Sequence, residues 1–528
     1  MYMLFPVQYI FEKLFHKRII RLYVLFFSLI FVKNNLPKLF VVLNLLDKRY
    51  NALLSIKNRM FGSCTSSEWR KYANEYEATK KQMYGSSPGL YDKQLIIKKL
   101  NYWKINNHKD GQEKYIRDLM DNVRLDLSRN FGNLVKCKLH EHYFSVPTTI
   151  KSYIKLMKEQ LNSILHNETL PETEKVSFFR ETRHTFGRTA LLLSGGSSLG
   201  IFHMGVIKGL FENHLLPRII AGSSAGSIVA SIISVRTDEE LKDTFNHLEN
   251  MDLAFFSEHK TVELLKNLLE KGHFYDDKHL INKLRSVLGE YTFKEAYERT
   301  GRILNITVSP VESNETPKVL NYLTSPNVII WSAVAASSAM PGLFPSQIIY
   351  TKSVSGQVDE MDTHDLVDNF ERRWQDGSLQ LDLPINTLRE LFNCNYFIVS
   401  QCNPHLLPLL NLKPILGSNI VKLIEYEIKY RCNQLHFALP QWLKRKLFIN
   451  FFLQTWEGDI TLQLPITFYN PKKLITNPDI KELLLAVKMG ERKVWESMLD
   501  IECNCAIEIY LDECVKKICG GHGSWGAT

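Results

Sequence analysis

The order of apolar and polar positions gives the chain several distinct textures. Residues 1–10, 22–32 and 39–46 are apolar stretches broken by basic and helix-interrupting residues, among them Lys33, Asn34, Asn35, Pro37 and Lys38. None reaches the roughly 20 apolar residues that a spanning helix requires, so the pattern predicts a hairpin or an interfacial helix. From Ser66 to about His166 apolar residues recur every three or four positions, as in Thr149-Ile-Lys-Ser-Tyr-Ile-Lys-Leu-Met, which predicts amphipathic helices packed on a neighbour. Beyond a polar, proline-containing linker at 167–174 the texture changes to short apolar runs: Thr189-Ala-Leu-Leu-Leu, Arg218-Ile-Ile, Arg302-Ile-Leu-Asn-Ile-Thr-Val and Tyr396-Phe-Ile-Val-Ser. Helical stretches separate these runs, and buried strands alternating with helices predict an α/β fold with a mainly parallel central sheet. Helical texture returns from about Leu406 to Val515, ahead of a glycine-rich end, and no internal repeat is present.

Composition sharpens this picture at the N-terminus. The 528 residues carry a formal charge of +9, yet residues 1–60 alone hold ten Lys and Arg against Glu12 and Asp47. That local +8 leaves +1 for the rest, which excludes a nucleic-acid groove through the body of the protein. Apolar runs with interleaved cations fit attachment to an anionic membrane or a lipid monolayer, with packing on the protein's own core as the alternative. A signal peptide fits less well, because no small-residue cleavage site follows Val32. The nine cysteines are odd in number and mostly scattered, which predicts reduced thiols in a cytosol-facing protein. Near the end, Cys503, Cys505, Cys514 and Cys519, with His522, lack the paired spacing of a zinc site. No metal and no cofactor are expected.

Three local patterns carry candidate chemistry. In Arg218-Ile-Ile-Ala-Gly-Ser-Ser-Ala-Gly-Ser-Ile-Val, Gly222 and Gly226 flank Ser224 between a strand and a helix. Small flanks let the two elements pack closely, and the helix N-terminus offers positive potential to a developing oxyanion. In Leu191-Leu-Leu-Ser-Gly-Gly-Ser-Ser-Leu-Gly-Ile-Phe-His, residues Gly195, Gly196, Ser197 and Gly200 form a second strand–turn–helix whose backbone N–H groups suit an oxyanion or a phosphate. A nucleotide is disfavoured, since the loop lacks the Lys-Ser/Thr of a phosphate-binding loop and has Ser197 where a dinucleotide fingerprint needs glycine. The third pattern is Trp374-Gln-Asp376-Gly377-Ser378, followed by Leu381-Asp-Leu-Pro. Taken alone Asp376 reads as an ordinary turn residue, although a carboxylate within reach of a serine can serve as its base.

Together these strings resemble the patatin-like phospholipase family, and within it the triacylglycerol lipase branch. The resemblance extends to Phe178-Phe-Arg-Glu-Thr-Arg-His-Thr-Phe-Gly, Leu215-Leu-Pro-Arg-Ile-Ile, Ala336-Ser-Ser-Ala-Met-Pro-Gly, Val399-Ser-Gln-Cys-Asn-Pro-His and Trp456-Glu-Gly-Asp-Ile-Thr. It implies a three-layer α/β fold flanked by helical regions, a Ser224–Asp376 dyad with its motif residues Gly222, Gly226, Gly377 and Ser378, and an oxyanion loop of Gly195, Gly196, Ser197 and Gly200. It implies a serine hydrolase releasing fatty acids from triacylglycerol through an acyl-enzyme, at a lipid-droplet or endoplasmic-reticulum surface. Leu199 stands where phospholipid-active relatives often carry Lys or Arg, which favours a neutral ester. The expected organisation is an anchoring segment at 1–60, a helical domain at 61–188, the catalytic domain at 189–405 and a helical region with a loose tail at 406–528.

Rival readings remain at this stage. The order Ser224, Asp376, His405 also matches an α/β-hydrolase triad. His203 reads as a packed histidine, and His247-x4-Asp252 has the spacing of an acyltransferase pair, so phospholipase or lysophospholipid acyltransferase activity is the enzymatic alternative. A non-catalytic scaffold on lipid is the third class.

Overall fold

The computed structural model describes residues 48–84, 90–106, 112–257, 261–311, 315–353, 355–361, 372–412, 416–439, 449–468, 470 and 473–519. The expected anchor at 1–46 and the tail from 520 onward lie outside them. The short apolar runs do form strands: β1 (Arg188–Leu193), β2 (Ile219–Gly222), β3 (Ile303–Pro310), β4 (Lys318–Leu320), β5 (Tyr350–Lys352), β6 (Val358–Glu360), β7 (Trp374–Asp376), β8 (Cys394–Gln401) and β9 (Ile460–Gln463). Seven of them make one sheet in the order β4-β3-β2-β1-β8-β9, with β7 also on β3. Pairing is parallel except where β4 and β7 meet β3. β5 and β6 form a separate hairpin.

The helices that matter for the site are α1 (Lys48–Phe61), α2 (Ser66–Tyr84), α3 (Lys93–Asn106), α4 (Gln112–Asp126), α5 (Thr148–Leu165), α6 (Glu172–Phe186), α7 (Phe202–Glu212), α8 (Ala225–Ser234), α9 (Ile330–Ser337), α10 (Ile385–Phe392) and α11 (Ile480–Ile518). Successive strand residues face opposite layers. Ile220, Leu191 and Leu193 enter the large core shared with α7, α8 and α9, whereas Ile219, Ala190 and Leu192 pack beneath α10. Covering both faces is what allows the strands to be continuously apolar. The three-layer, mainly parallel α/β fold expected from the sequence is the one observed.

Residues 406–528, expected to be a helical region, also supply β9, whose Ile460 pairs with Ile398 of the sheet. α11 begins at a reciprocal capping box between Asp479 and Glu482 and spans 39 residues. Its first half joins the large core, and Leu499, Cys503, Ile507, Leu511 and Cys514 enter a second core built by α3 to α6. Inside the segment 1–60, Lys48 onward is α1, whose Met60 is buried in the large core. Among the described residues no helix is long and apolar enough to cross a membrane. All nine cysteines are free.

Candidate active site

Sheet register brings the chemistry together. Leu193 of β1 lies level with Gly222 of β2 and Ser400 of β8, so the glycine loop, the Ser224 turn and residues 402–405 leave the sheet at one edge. β7 runs antiparallel beside β3 with Asp376 opposite Val308, which carries a carboxylate to the same edge.

Ser224 sits between β2 and α8 with φ +50° and ψ −123°, a conformation that an L-residue rarely holds. The strain is fixed from several sides. The Ser224 N–H donates to Ser337 Oγ at 3.0 Å, Gly226 N–H donates to Ser223 O at 2.8 Å and Ser227 N–H donates to Ser224 O at 2.9 Å. A side chain at Gly222 would strike the Gly226 carbonyl, and one at Gly226 would strike the Leu193 carbonyl. The elbow therefore needs both glycines for close approach, and it delivers the hydroxyl to the open side.

Asp376 is fully buried. Its Oδ1 accepts the Ser378 N–H at 2.8 Å, while Oδ2 has no hydrogen-bond partner among the described residues. Burial pushes this carboxyl up to about 6, against the pull of the Ser224 hydroxyl and the Ser378 amide. A buried acceptor left unsatisfied next to a serine hydroxyl is what a general base requires before substrate arrives. Gly377 follows directly, and a side chain there would collide with the Thr307 carbonyl.

The loop residues divide by the fate of their amides. Gly195 donates its N–H to Asp382 Oδ1 at 2.9 Å, so that amide is already occupied. Expected as an oxyanion donor, Gly195 instead has its amide engaged in the frame, and a side chain there would press on Asn403 Oδ1 at 3.2 Å. Gly196, Ser197 and Gly200 line the same cavity as Ser224, and Gly200 passes so close to Ala225 that a Cβ would come within 2.7 Å of the alanine methyl. Ser197 keeps φ +54° and anchors the loop through its hydroxyl to Leu474 O at 2.5 Å. Leu199 is buried in the large core and does not line the cavity. The 3-10 turn points the Leu199 side chain into the core, so position 199 offers no cation to a phosphate, and the expectation of a neutral ester rests further on the uncharged lining of the cavity.

Asp382 and Asn403 are the residues that the sequence left without a role. Asp382, fully buried and pushed upward by that burial, accepts Gly195 N–H, the Ser223 hydroxyl, and Asn403 Nδ2 at 2.6 Å. One carboxylate thus ties the glycine loop, the elbow and the chain after β8. The aspartate was visible in Leu381-Asp-Leu-Pro, but nothing in its spacing points to Gly195.

The histidines separate clearly. His203 Nδ1 bonds Ser400 Oγ at 2.7 Å and its Nε2 bonds Ser194 O at 3.0 Å; burial drives it down to about 4. It is a packed histidine, as expected. His405 lines the cavity, but neither of its ring nitrogens has a partner, so no Asp376–His405 hydrogen bond forms and the triad is not assembled. Burial drives His405 down to about 3, which keeps the ring neutral. His247 lies on the surface beside Asp243 and Glu249, while Asp252 pairs with Lys283, so the two letters of the acyltransferase spacing have separate partners.

The cavity has a volume of about 270 Å³ and is walled mainly by apolar side chains, including Ile201, Met204, Leu253, Phe256 and Phe344. Among the described lining residues there is no Lys, Arg, Asp or Glu. Nor do the described residues include a group of three or more His, Cys, Asp or Glu placed to hold a metal.

Comparison with known proteins matches residues 191–389 to the family described as patatin-like phospholipase, and residues 49–184 to a domain of unknown function, DUF3336. Triacylglycerol lipase SDP1L of Arabidopsis thaliana is 41% identical over 87% of this chain and 58% of its own length. Triacylglycerol lipase 5 of Saccharomyces cerevisiae is 35% identical over 74% of this chain and 56% of its own. Triacylglycerol lipase ptl3 of Schizosaccharomyces pombe is 32% identical over 80% of this chain and 88% of its own. The chain thus spans a little over half the length of the first two relatives.

Proposed function

Because the chain belongs to the patatin-like phospholipase family, we propose that it is a serine acyl hydrolase acting on neutral glycerides, with triacylglycerol as the substrate class. The observation that carries this reading is the strained Ser224 turn, which opens on a cavity with no charged residue among its described lining, beside the buried, unpartnered Oδ2 of Asp376. Three relatives bear the name triacylglycerol lipase, which supports the same substrate.

In the proposed reaction Asp376 takes the proton of the Ser224 hydroxyl as Oγ bonds to the ester carbonyl carbon. The carbonyl oxygen gains the negative charge, which the Gly196 and Ser197 amides and the N-terminus of α8 stabilise. Collapse breaks the bond to the glyceryl oxygen, Asp376 returns the proton to that oxygen, and an acyl-enzyme remains. Water then gives up a proton to Asp376 and repeats the sequence, releasing the fatty acid.

The basic, apolar residues 1–46 support attachment to a lipid-droplet or endoplasmic-reticulum surface from the cytosolic side. Product analysis on emulsified triacylglycerol beside phosphatidylcholine, with a Ser224→Ala control, tests the reading. Release of fatty acid from triacylglycerol that vanishes in the control is expected. Faster cleavage of the phospholipid makes the protein a phospholipase, and release that survives in the control removes the serine mechanism.

A further inference from the structure

His405 is held in the cavity wall by the chain around it. Asn403 is fixed to Asp382 and to Gln401 Oε1, and its carbonyl accepts the amides of Leu406 and Leu407 at 3.1 and 3.2 Å. The turn so formed sets the imidazole against Phe451, ring centroids 4.0 Å apart, with Phe452 at 5.5 Å. Both ring nitrogens are buried and unpartnered. The contrast with His203 is informative, because that buried ring satisfies both nitrogens. Buried polar groups are normally paired, so an unpaired one calls for a partner, and this one lies in the wall of the cavity.

A neutral imidazole offers one N–H donor and one lone pair. An acyl chain has nothing to bond to either. The scissile carbonyl oxygen is served by the loop amides in the reaction proposed above. What remains of a glycerol triester is its glyceryl oxygens and the carbonyls of its two other ester arms. We propose that His405 recognises the glyceryl portion of the substrate, donating from a ring nitrogen to an ester oxygen next to the scissile bond, and so distinguishes glycerol esters from simple alkyl esters. This rests on the lipase reading and adds the residue that selects the alcohol side. His405 is then neither a base nor a packing residue, but a polar contact in a mainly apolar wall.

The test compares trioctanoylglycerol with ethyl octanoate in the same mixed micelles, using the full chain and its His405→Phe, His405→Leu and His405→Gln variants. Phe and Leu fill the space against Phe451 without hydrogen bonds, and either suffices if the other fails to fold; Gln keeps a donor and an acceptor. The ratio of kcat/KM for the glyceride over that for the ethyl ester should fall about tenfold in the apolar variants, the worth of one good hydrogen bond. It should recover in the Gln variant. A ratio unchanged in Phe and Leu overturns the proposal, as does a Gln variant as poor as they are. A general structural role would lower both substrates alike and leave the ratio in place. If the unsubstituted chain cleaves neither ester, the lipase reading itself has failed and the role of His405 falls with it.

Discussion

Asp382 accepts the backbone N–H of Gly195 at 2.9 Å across 187 residues of sequence, and it accepts the Ser223 hydroxyl through the same oxygen. The relationship ties the glycine loop to the Ser224 elbow and so fixes the spacing between them. Gly195 is therefore held as part of the frame, as are the Ser198 and Leu199 amides, which donate to Leu474 O and Gly196 O.

Replacing this carboxylate should damage the reaction more than the fold. Asp382→Asn keeps the shape but puts an amide donor among three donors, so the loop shifts away from Ser224. A misplacement of this kind costs about a hundredfold in kcat, with KM little changed. Asp382 is also among the groups that, after burial, hold Asp376 up. The acid limb of kcat/KM should move to lower pH in the variant, which a purely structural defect would not produce. Steady-state kinetics across pH check both.

Asp376 should govern the pH dependence of the parent. A base must be ionised, so kcat/KM should rise through about pH 6 and level off above it. Stability should run the opposite way. A carboxyl raised from its ordinary 3.8 to about 6 by folding favours the folded state below 3.8, and that contribution is lost as pH rises through 6. Asp376→Asn should lose about 10³-fold or more in rate, no further when combined with Ser224→Ala. It should nevertheless melt no lower than the parent at pH 8, gaining up to roughly 3 kcal/mol relative to pH 4. Melting curves of both proteins at the two pH values decide this.

A buried ionic cluster joins the helical N-terminal part to the sheet and α11. Glu508 accepts Arg129 Nη2 at 2.8 Å, Arg183 Nη2 at 3.0 Å and the Thr189 N–H at 2.9 Å. Burial opposes its charge, but the two arginines outweigh burial and hold it at about 2. Glu508→Ala leaves Arg129 buried without its carboxylate and Arg183 with Asp512 alone, and should cost about 3 to 5 kcal/mol, measured by denaturant unfolding. Glu508 stabilises the fold above its ordinary 4.5, and that share is lost as pH falls toward 2.

Deleting residues 1–46 should release the protein from lipid while leaving Ser224 reactive. The basic side chains contribute about 1 kcal/mol each near anionic lipid, and the site is assembled by residues from β1 onward. Flotation with lipid droplets or microsomes, alongside labelling by a small soluble fluorophosphonate, checks the two halves. Continued flotation of the truncated protein would place the lipid-binding surface elsewhere.

The sequence by itself determined what is local. Short apolar runs bounded by turns became the strands of a mainly parallel sheet. Gly222-x-Ser224-x-Gly226 became a strained elbow, because the two flanking positions admit no side chain. Asp376 appeared as an aspartate before glycine, and its family string was needed to lift it above an ordinary turn residue. Tertiary structure decided everything that depends on which surfaces meet. Only the register of β1 against β8 brings Leu193 level with Ser400 and so sets residues 402–405 beside the glycine loop. Only packing turned Leu199 into the core, gave Gly195 to Asp382, and added β9 to the sheet. Periodicity reports which face of an element is apolar, but a hydrogen bond between residues far apart in sequence is set by the joint packing of many elements, and no short window of the chain contains that information.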